Sequence, residues 1–509
     1  MIHTLKRRIY SVTAVFMALV AAAAFALPVF AGSAGADRKP EFSSFEELNG
    51  RTISMLTGAP FEGLISSKVP DVREYTYYAS PTEMLLALRT GKTDAFLNNT
   101  MIGDLYINKN RDITYLPEML KEAEFGFGFS KKYKKLSEWK KALAGISDEE
   151  IQAIWDKWTG ADDSKKTMPK QDWKGKAGKV RVAIGDSMQP ACYINADGDV
   201  LGMEAEIILK MAKELDYKVE FMPMEFAALI ASVESGKADF CCGSIIITEE
   251  RKKALHFLPY TETAFALIIR TESEDGAVEP SGGLIDRLRD TLITDGRYKL
   301  ILSGLGTTLF VSVGSGLIGL LLAFGLVSLK RKNNQIINRL LAIYCRLVAG
   351  LPVVVILMLL YYGAFGSSDI SPIWVALLGF ILIFTPKAYA LIANAVDTVD
   401  GGQLEAALAL GYSDKLAYRR VILPQARKIY FPLLKTQFSL LVKETSVVGY
   451  IAAVDLTRAG DIIRGHTLDA FLPVLIIAVI YFFLTWFIAA AIEAGTRLIN
   501  RMAERREAK

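Results

Sequence analysis

The chain reads as a two-lobed α/β region followed by an all-α region with five membrane spans. Short β-rich runs alternate with amphipathic helical patterns over residues 40–295, the mark of strand–helix–strand units and parallel sheets. Beyond residue 299 the sequence turns to apolar runs, most of them long enough to cross a bilayer core. The 509 residues are 51% hydrophobic and 22% charged, a balance that excludes disorder and suits membrane spans joined to water-soluble domains. A formal net charge of +4 is too mild to argue for nucleic acid, and four cysteines are not a disulfide framework. His3, His256 and His466 are scattered and give no metal-ligand set.

Residues 1–36 open with Lys6-Arg7-Arg8, pass through an apolar run to Leu27, and reach the small-residue tract Ala31-Gly32-Ser33-Ala34. That order fits a signal peptide or, uncleaved, an N-terminal membrane anchor, and the run's length leaves both open. In either case the basic end stays inside and the following residues are outside. Residues 37–160 carry the first set of strand and helix patterns, with "RTISML", "TEMLLALRTG" and "DAFLNN". A polar linker, 161–178, leads to a second set over 179–275, with "KVRVAIG", "EAEIILKMAKEL", "KVEFMP" and "DFCCGSIII", and 276–299 is a second linker. Ligands of open α/β sheets bind beyond the carboxyl ends of the strands. The vicinal Cys241-Cys242, with Cys192 in the same lobe, reads as core thiols, since no His or CxxC spacing accompanies them.

The membrane region covers 300–496, with apolar runs at 300–329, 340–365, 372–396, 429–450 and 471–492. The fourth is the weakest, broken by Pro432, Lys435 and Lys443. Lys330-Arg331-Lys332 after the first run and the basic tail 497–509 belong in the cytoplasm, so five crossings that start outside end inside. Gly304, Gly306, Gly314, Gly316 and Gly319 allow close helix contacts. Lys387, Lys435, Lys443 and Glu444 are costly in hydrocarbon and should face protein, either in ion pairs or along a transport path.

Residues 179–270 resemble the first lobe of the amino-acid-type bacterial solute-binding proteins, which have the periplasmic-binding-protein type II fold. The matching stretches are "VRVAIGDSMQPACYINADGDVLGMEAEIILKMAKEL", "VEFMPMEFAALIASVESGKADF" and "GSIIITEERKKALHFLPY". Residues 43–160 resemble the second lobe through "SFEELNGRTISMLTGAPFEGLI", "SPTEMLLALRTGKTDAFLNN", "EFGFGFSKKY" and the closing helix "DEEIQAIWDKWTG". The lobes come in reversed order. The expectation is a circular permutant in which the linker joins the old ends and one hinge crossing is cut, with two unrelated half-domains as the alternative.

That resemblance implies a ligand site. Arg251 would hold a carboxylate through its forked guanidinium, and Thr248 and Ser244 would bind an ammonium or amide. Phe226 would pack on the ligand, and Met188 stands where the family has an aromatic. Backbone N–H groups at Gly58 and Ala59, just before Pro60, would suit an anion. Asn99 replaces the acid that pairs with the ligand's ammonium, and Ile246 replaces a hydroxyl residue. These departures point toward a less ordinary amino acid, a peptide-like compound or another small carboxylate.

The stretch "EAALALGYSDKLAYRRVILPQA", 405–426, resembles the coupling loop of bacterial ABC importer permeases. Its marks are Glu405, Ala406, Gly411 six residues after the Glu, and Ile422-Leu423-Pro424. Read physically, it is a helix, a Gly that ends it, a second helix and a Pro stop. "GLGTTLFVS" and "LVKETSVVGYI" look like the polar-amino-acid branch, while "AGLP" at 349–352 departs from it. The resemblance as a whole is to a fused solute-binding protein and permease of that branch. It implies a small-molecule substrate such as a polar amino acid, separate ABC ATPase subunits and a homodimer through the permease domain. It also implies a multi-pass place in the bacterial inner membrane, with residues 37–295 periplasmic or extracellular. No GxxxxGK[ST] occurs, so ATP would bind the partner ATPase; no cofactor, metal or catalytic group is expected in this chain. A ligand-gated channel and a sensor without transport are the competing readings.

Overall fold

The computed structural model describes residues 40–57, 61–110, 112–120, 122–160, 165–271, 284–332, 334–366, 368, 370–467, 469 and 471–507. The expected signal or anchor, 1–36, and the anion-site residues Gly58 and Ala59 lie outside the described residues. Apolar β-formers in "TISML" make β1 (Thr52–Leu56) a strand buried along its whole length. β2 (Glu74–Tyr78) and β3 (Ala95–Asn99) flank it, both parallel. With β4 (Ile113–Tyr115) and the helices Pro81–Arg89 and Thr100–Lys109 they form the N-lobe.

β5 (Glu122–Ser130) then crosses to the other lobe, and helices Leu136–Ala144 and Asp148–Thr159 pack there. Lys157 and the Trp158 indole both donate to Glu206 at 2.7 Å, fastening the second of these helices to the C-lobe. The sequence boundary at residue 160 therefore moves: residues 122–160 belong with the C-lobe. That lobe continues through β6 (Gly178–Gly185), a small sheet of β7 (Ser187–Met188), β8 (Cys192–Ile194) and β9 (Val200–Leu201), then β10 (Tyr217–Met224) and β11 (Phe240–Cys242). The described part of the linker, 165–178, is not free chain. Gln171 exchanges hydrogen bonds with the Val219 backbone at 2.8 and 3.0 Å, and Trp173 donates to the Tyr217 carbonyl, so the linker lies along the edge strand β10.

The last strand, β12 (Leu255–Arg270), belongs to both lobes. Leu255–Ala264 pair antiparallel with β5, while Phe265–Ile269 pair with β3. One hydrogen-bonded path thus runs β10-β6-β11-β5-β12-β3-β1-β2. Both crossings, β5 and β12, are intact, contrary to the expectation that one is cut. The opening lies at the far end of β12, where Pro40 bridges Thr271 and the Glu41 N–H donates to the Arg270 carbonyl at 3.0 Å. Chain entry and exit therefore meet on the N-lobe sheet. Because two strands are shared, a 40–271 fragment is expected to unfold in one transition by circular dichroism and fluorescence; two separated transitions would show the lobes to be independent.

In the membrane region, helices Tyr298–Lys330, Pro372–Asp397 and Leu472–Glu507 contain stretches long and apolar enough to cross a bilayer. Gln335–Gly350 and Val353–Ala364 qualify together as a pair bent by 108°. By length and composition alone, three or four such spans are recognised among the described residues. The run expected at 429–450 falls largely on the 22-residue helix Leu423–Glu444, whose Arg427, Lys428, Lys435 and Lys443 lower its hydropathy and which packs against Pro372–Asp397 and Leu472–Glu507. Lys435 pairs with Glu493 at 2.9 Å, and Lys387 with Glu444 at 2.6 Å, so three of the four intramembrane charges singled out in the sequence are in ion pairs. A Cβ on Gly304 would press on the Asp455 carbonyl and one on Gly316 on the Phe438 ring, whereas Gly306 faces open space. The second linker, 276–299, is helical at Leu284–Leu292, where Arg287 binds Asp469 at 2.6 Å.

Candidate functional site

The lobes close on a cavity at the carboxyl ends of their strands. Met188, Phe226, Ser244 and Ile246 line it from the C-lobe; Phe125 and Phe265 come from the crossing strands. The N-lobe contributes Leu56, Met84 and Leu97 together with Asn98 and Asn99. The free volume is about 30 Å³, space for water rather than for an amino acid. Met188 is buried in the apolar cluster of the opposite lobe.

The expected residues divide. Ser244, Phe226, Met188 and Asn99 meet at this cavity. Arg251 does not: it lines a neighbouring cavity behind Phe226, with its guanidinium 5.9 Å from that ring's centroid and Nη1 donating to the Ile246 carbonyl at 3.1 Å. Burial pushes the Arg251 pKa down from its usual value. Thr248 caps helix Glu249–Ala254, its hydroxyl accepting from the Arg251 N–H. Asn99 likewise caps Thr100–Lys109, accepting from the Ile102 N–H at 2.9 Å, so its side-chain oxygen has a local structural task. The residue missed in the sequence is Asn98. Its Oδ1 accepts from the Asn99 N–H, but its buried Nδ2 has no protein partner, and neither does the Ser244 Oγ. A run of two asparagines ending a buried strand was the available signal.

The Ser244 turn is fixed from beneath. Ser244 has φ +55°, and its N–H and that of Gly243 donate to the buried Glu204 carboxylate at 2.8 and 2.6 Å. Tyr260 also donates to Glu204. Burial pushes the Glu204 pKa up, against the pull of these donors.

Helix Leu456–Thr467 of the membrane region touches both lobes. Arg458 Nε binds the Asp186 Oδ2 at 2.7 Å, its Nη2 takes the other oxygen, and Glu225 lies 3.6 Å from Nη1. Arg464 reaches Glu83 of the N-lobe at 2.7 Å. Lys237 donates to the carbonyls of Phe365 and Ser368 at 2.9 and 2.7 Å, and Ile194 packs into a cluster with Leu300, Ile301 and Leu456.

At the other end, helix Gly401–Ala409 stops at Gly411, whose φ of +86° only glycine adopts without strain. Glu405, Ala406 and Gly411 are exposed, and Leu410 at the tip is 80% exposed. Pro424 is not a stop: the chain stays helical from Asp414 through the π-helical turn Tyr418–Ile422 into Leu423–Glu444, and Pro424 follows that turn. Ile422 is buried and joins the elbow to that helix.

Residues 180–401 match the family of bacterial extracellular solute-binding proteins, family 3. Residues 315–499 match the binding-protein-dependent transport system inner membrane component. The chain is 30% identical over 202 residues to the putative glutamine transport system permease protein GlnP of Rickettsia typhi, covering 39% of this chain and 93% of that protein. It is 28% identical to the probable amino-acid permease protein YxeN of Bacillus subtilis, covering 37% of this chain and 86% of that one. A crystal structure of an amino acid ABC transporter is 30% identical, covering 43% of this chain and 99% of that one, with a TM-score of 0.38. The chain belongs to the ABC importer permeases, with a solute-binding region fused ahead of its permease region.

Proposed function

We propose that this chain binds an amino-acid-like solute outside the cell and passes it across the membrane when a separate ATPase grips its elbow at 405–426. The observation that carries the reading is that exposed elbow in the same polypeptide as a two-lobed clamp. Two copies meet through their permease regions, because each supplies one elbow to a pair of ATPases. The clamp and residues 37–295 lie outside, and Lys330-Arg331-Lys332 with the C-terminal tail lie in the cytoplasm. Fusion holds receptor and permease together at high effective concentration. The test is uptake into vesicles carrying the purified complex: transport requires ATP inside and a copurifying ATPase. Flux without nucleotide would instead mark a channel.

The cavity chemistry narrows the solute. Asn98 Nδ2 and Ser244 Oγ offer neutral hydrogen bonds to a carbonyl or carboxylate, amid apolar side chains. Among the described residues lining it there is no carboxylate for an ammonium. Asn98→Leu removes the unpaired buried Nδ2 but also the Oδ1 that accepts from the buried Asn99 N–H, so the stability of the ligand-free protein, read from its unfolding midpoint, is expected to stay within about 1 kcal/mol of its unmodified value. The same change is expected to weaken binding roughly tenfold, read as a smaller ligand-induced thermal shift in a screen of amino acids and small carboxylates. Unchanged ligand affinity would remove Asn98 from the site.

A further inference from the structure

We propose that Cys192 and Cys242 form a disulfide in the mature protein, an inference that rests on the outward placement of residues 37–295. Their sulfurs lie 3.4 Å apart, in van der Waals contact, and each sits on a buried C-lobe strand, β8 and β11. Fifty positions separate them in sequence, so chance proximity in the unfolded chain does not explain the contact. The other cysteines are placed elsewhere. Cys241 approaches the Gly128 carbonyl at 3.5 Å, and Cys345 lies in helix Gln335–Gly350.

A metal is the competing occupant, since Cys192, Glu204 and Cys242 cluster closely enough to hold one. Both Glu204 oxygens, however, already accept hydrogen bonds from Gly243, Ser244 and Tyr260. The carboxylate's task is to hold the Ser244 turn, and beside it the two sulfurs face each other at 3.4 Å, closer than the 3.9 Å from Cys192 Sγ to Glu204 Oε2. Outside the cytoplasm thiol pairs persist as disulfides.

The chemistry takes place before β8 and β11 are buried. One cysteine thiolate attacks a disulfide carried by a thiol oxidoreductase or a small disulfide compound. That S–S bond breaks, one carrier thiolate leaves, and a mixed disulfide forms. The second cysteine thiolate then attacks the protein sulfur of the mixed disulfide, and the other carrier thiolate departs. The protein dithiol has lost two electrons and two protons, and the carrier is reduced to two thiols. The product ties β8, close to Met188, to the residue before the Gly243-Ser244 turn. It therefore cross-links the C-lobe wall of the cleft.

The test is alkylation mapping of the full chain, purified from its host membrane, denatured without reductant and treated with N-ethylmaleimide. The expected result is a linked Cys192–Cys242 peptide with maleimide on Cys241 and Cys345, and label on all four after reduction. In Cys192→Ser, Cys242 is expected to take label without reduction; if it stays blocked, the pairing is wrong. A membrane-impermeant lysine reagent on intact spheroplasts reads the placement separately, at the exposed Lys132 and Lys179. Labelled lysines with maleimide on both cysteines overturn the disulfide and leave the placement standing. Unlabelled lysines overturn the placement; oxidised glutathione on the solubilised chain then decides the pairing, and no linked peptide overturns it.

Discussion

Arg458→Met is expected to destabilise the docked chain by about 3–5 kcal/mol, the cost of leaving one member of a buried ion pair without its partner. Asp186 is 1% exposed and Arg458 7%, and the guanidinium meets both carboxylate oxygens. The carboxylate left behind has no water to turn to. Asp186→Asn with Arg458→Met is expected to recover part of the loss, because only Glu225, 20% exposed, is then left without its cation. The measurement is a double-mutant cycle from thermal unfolding of the detergent-solubilised protein. A single-variant loss below about 1 kcal/mol is what an exposed pair gives, and it would mean the clamp is not seated on helix Leu456–Thr467 in solution. Arg464→Met should cost less, since its partners Glu83 and Asp461 keep 27% and 32% of their side chains in water and charges left there remain hydrated.

The two lobes were legible because strand and helix periods differ and the chain switches between them repeatedly. "TISML" and "AFLNN" became buried strands, and Ser80 before Pro81 became a capped helix start. What local pattern does not carry is which lobe a strand joins. Residues 122–160 follow the N-lobe without a break in composition, yet β5 crosses and the helices after it pack on the C-lobe. The pairing that decides this lies in β12, more than a hundred residues later. The same holds for the cleft. Ser244, Phe226 and Met188, which the resemblance puts at a ligand site, line the cavity, but Arg251 lies behind Phe226, a side-chain direction that spacing does not encode. Asp186 and Arg458 gave no sequence signal as a pair, because the contact is between regions 272 residues apart.

Leu410→Asp is expected to abolish ATP-driven uptake while leaving ligand binding by the clamp intact. An 80% exposed leucine at the tip of a rigid elbow gains nothing for the fold of its own chain, so replacing it should change stability by no more than about 0.5 kcal/mol. A partner that covers this tip buries the leucine in an apolar pocket. There an aspartate loses the apolar contact and must be desolvated, a combination of about 2–4 kcal/mol, or roughly 30- to 1,000-fold in affinity. Gly411→Arg acts on the same elbow differently: φ +86° forces a side chain into the left-handed region, at about 1–2 kcal/mol of strain, and the tip changes shape. Both variants should lose the copurifying ATPase and uptake into vesicles together, while the ligand-induced thermal shift stays at its unmodified value. Uptake at the unmodified rate by Leu410→Asp would mean that force does not enter through this elbow. An unmodified rate in both variants would leave the fused clamp and permease without a coupling route on this face, and the channel reading would take its place.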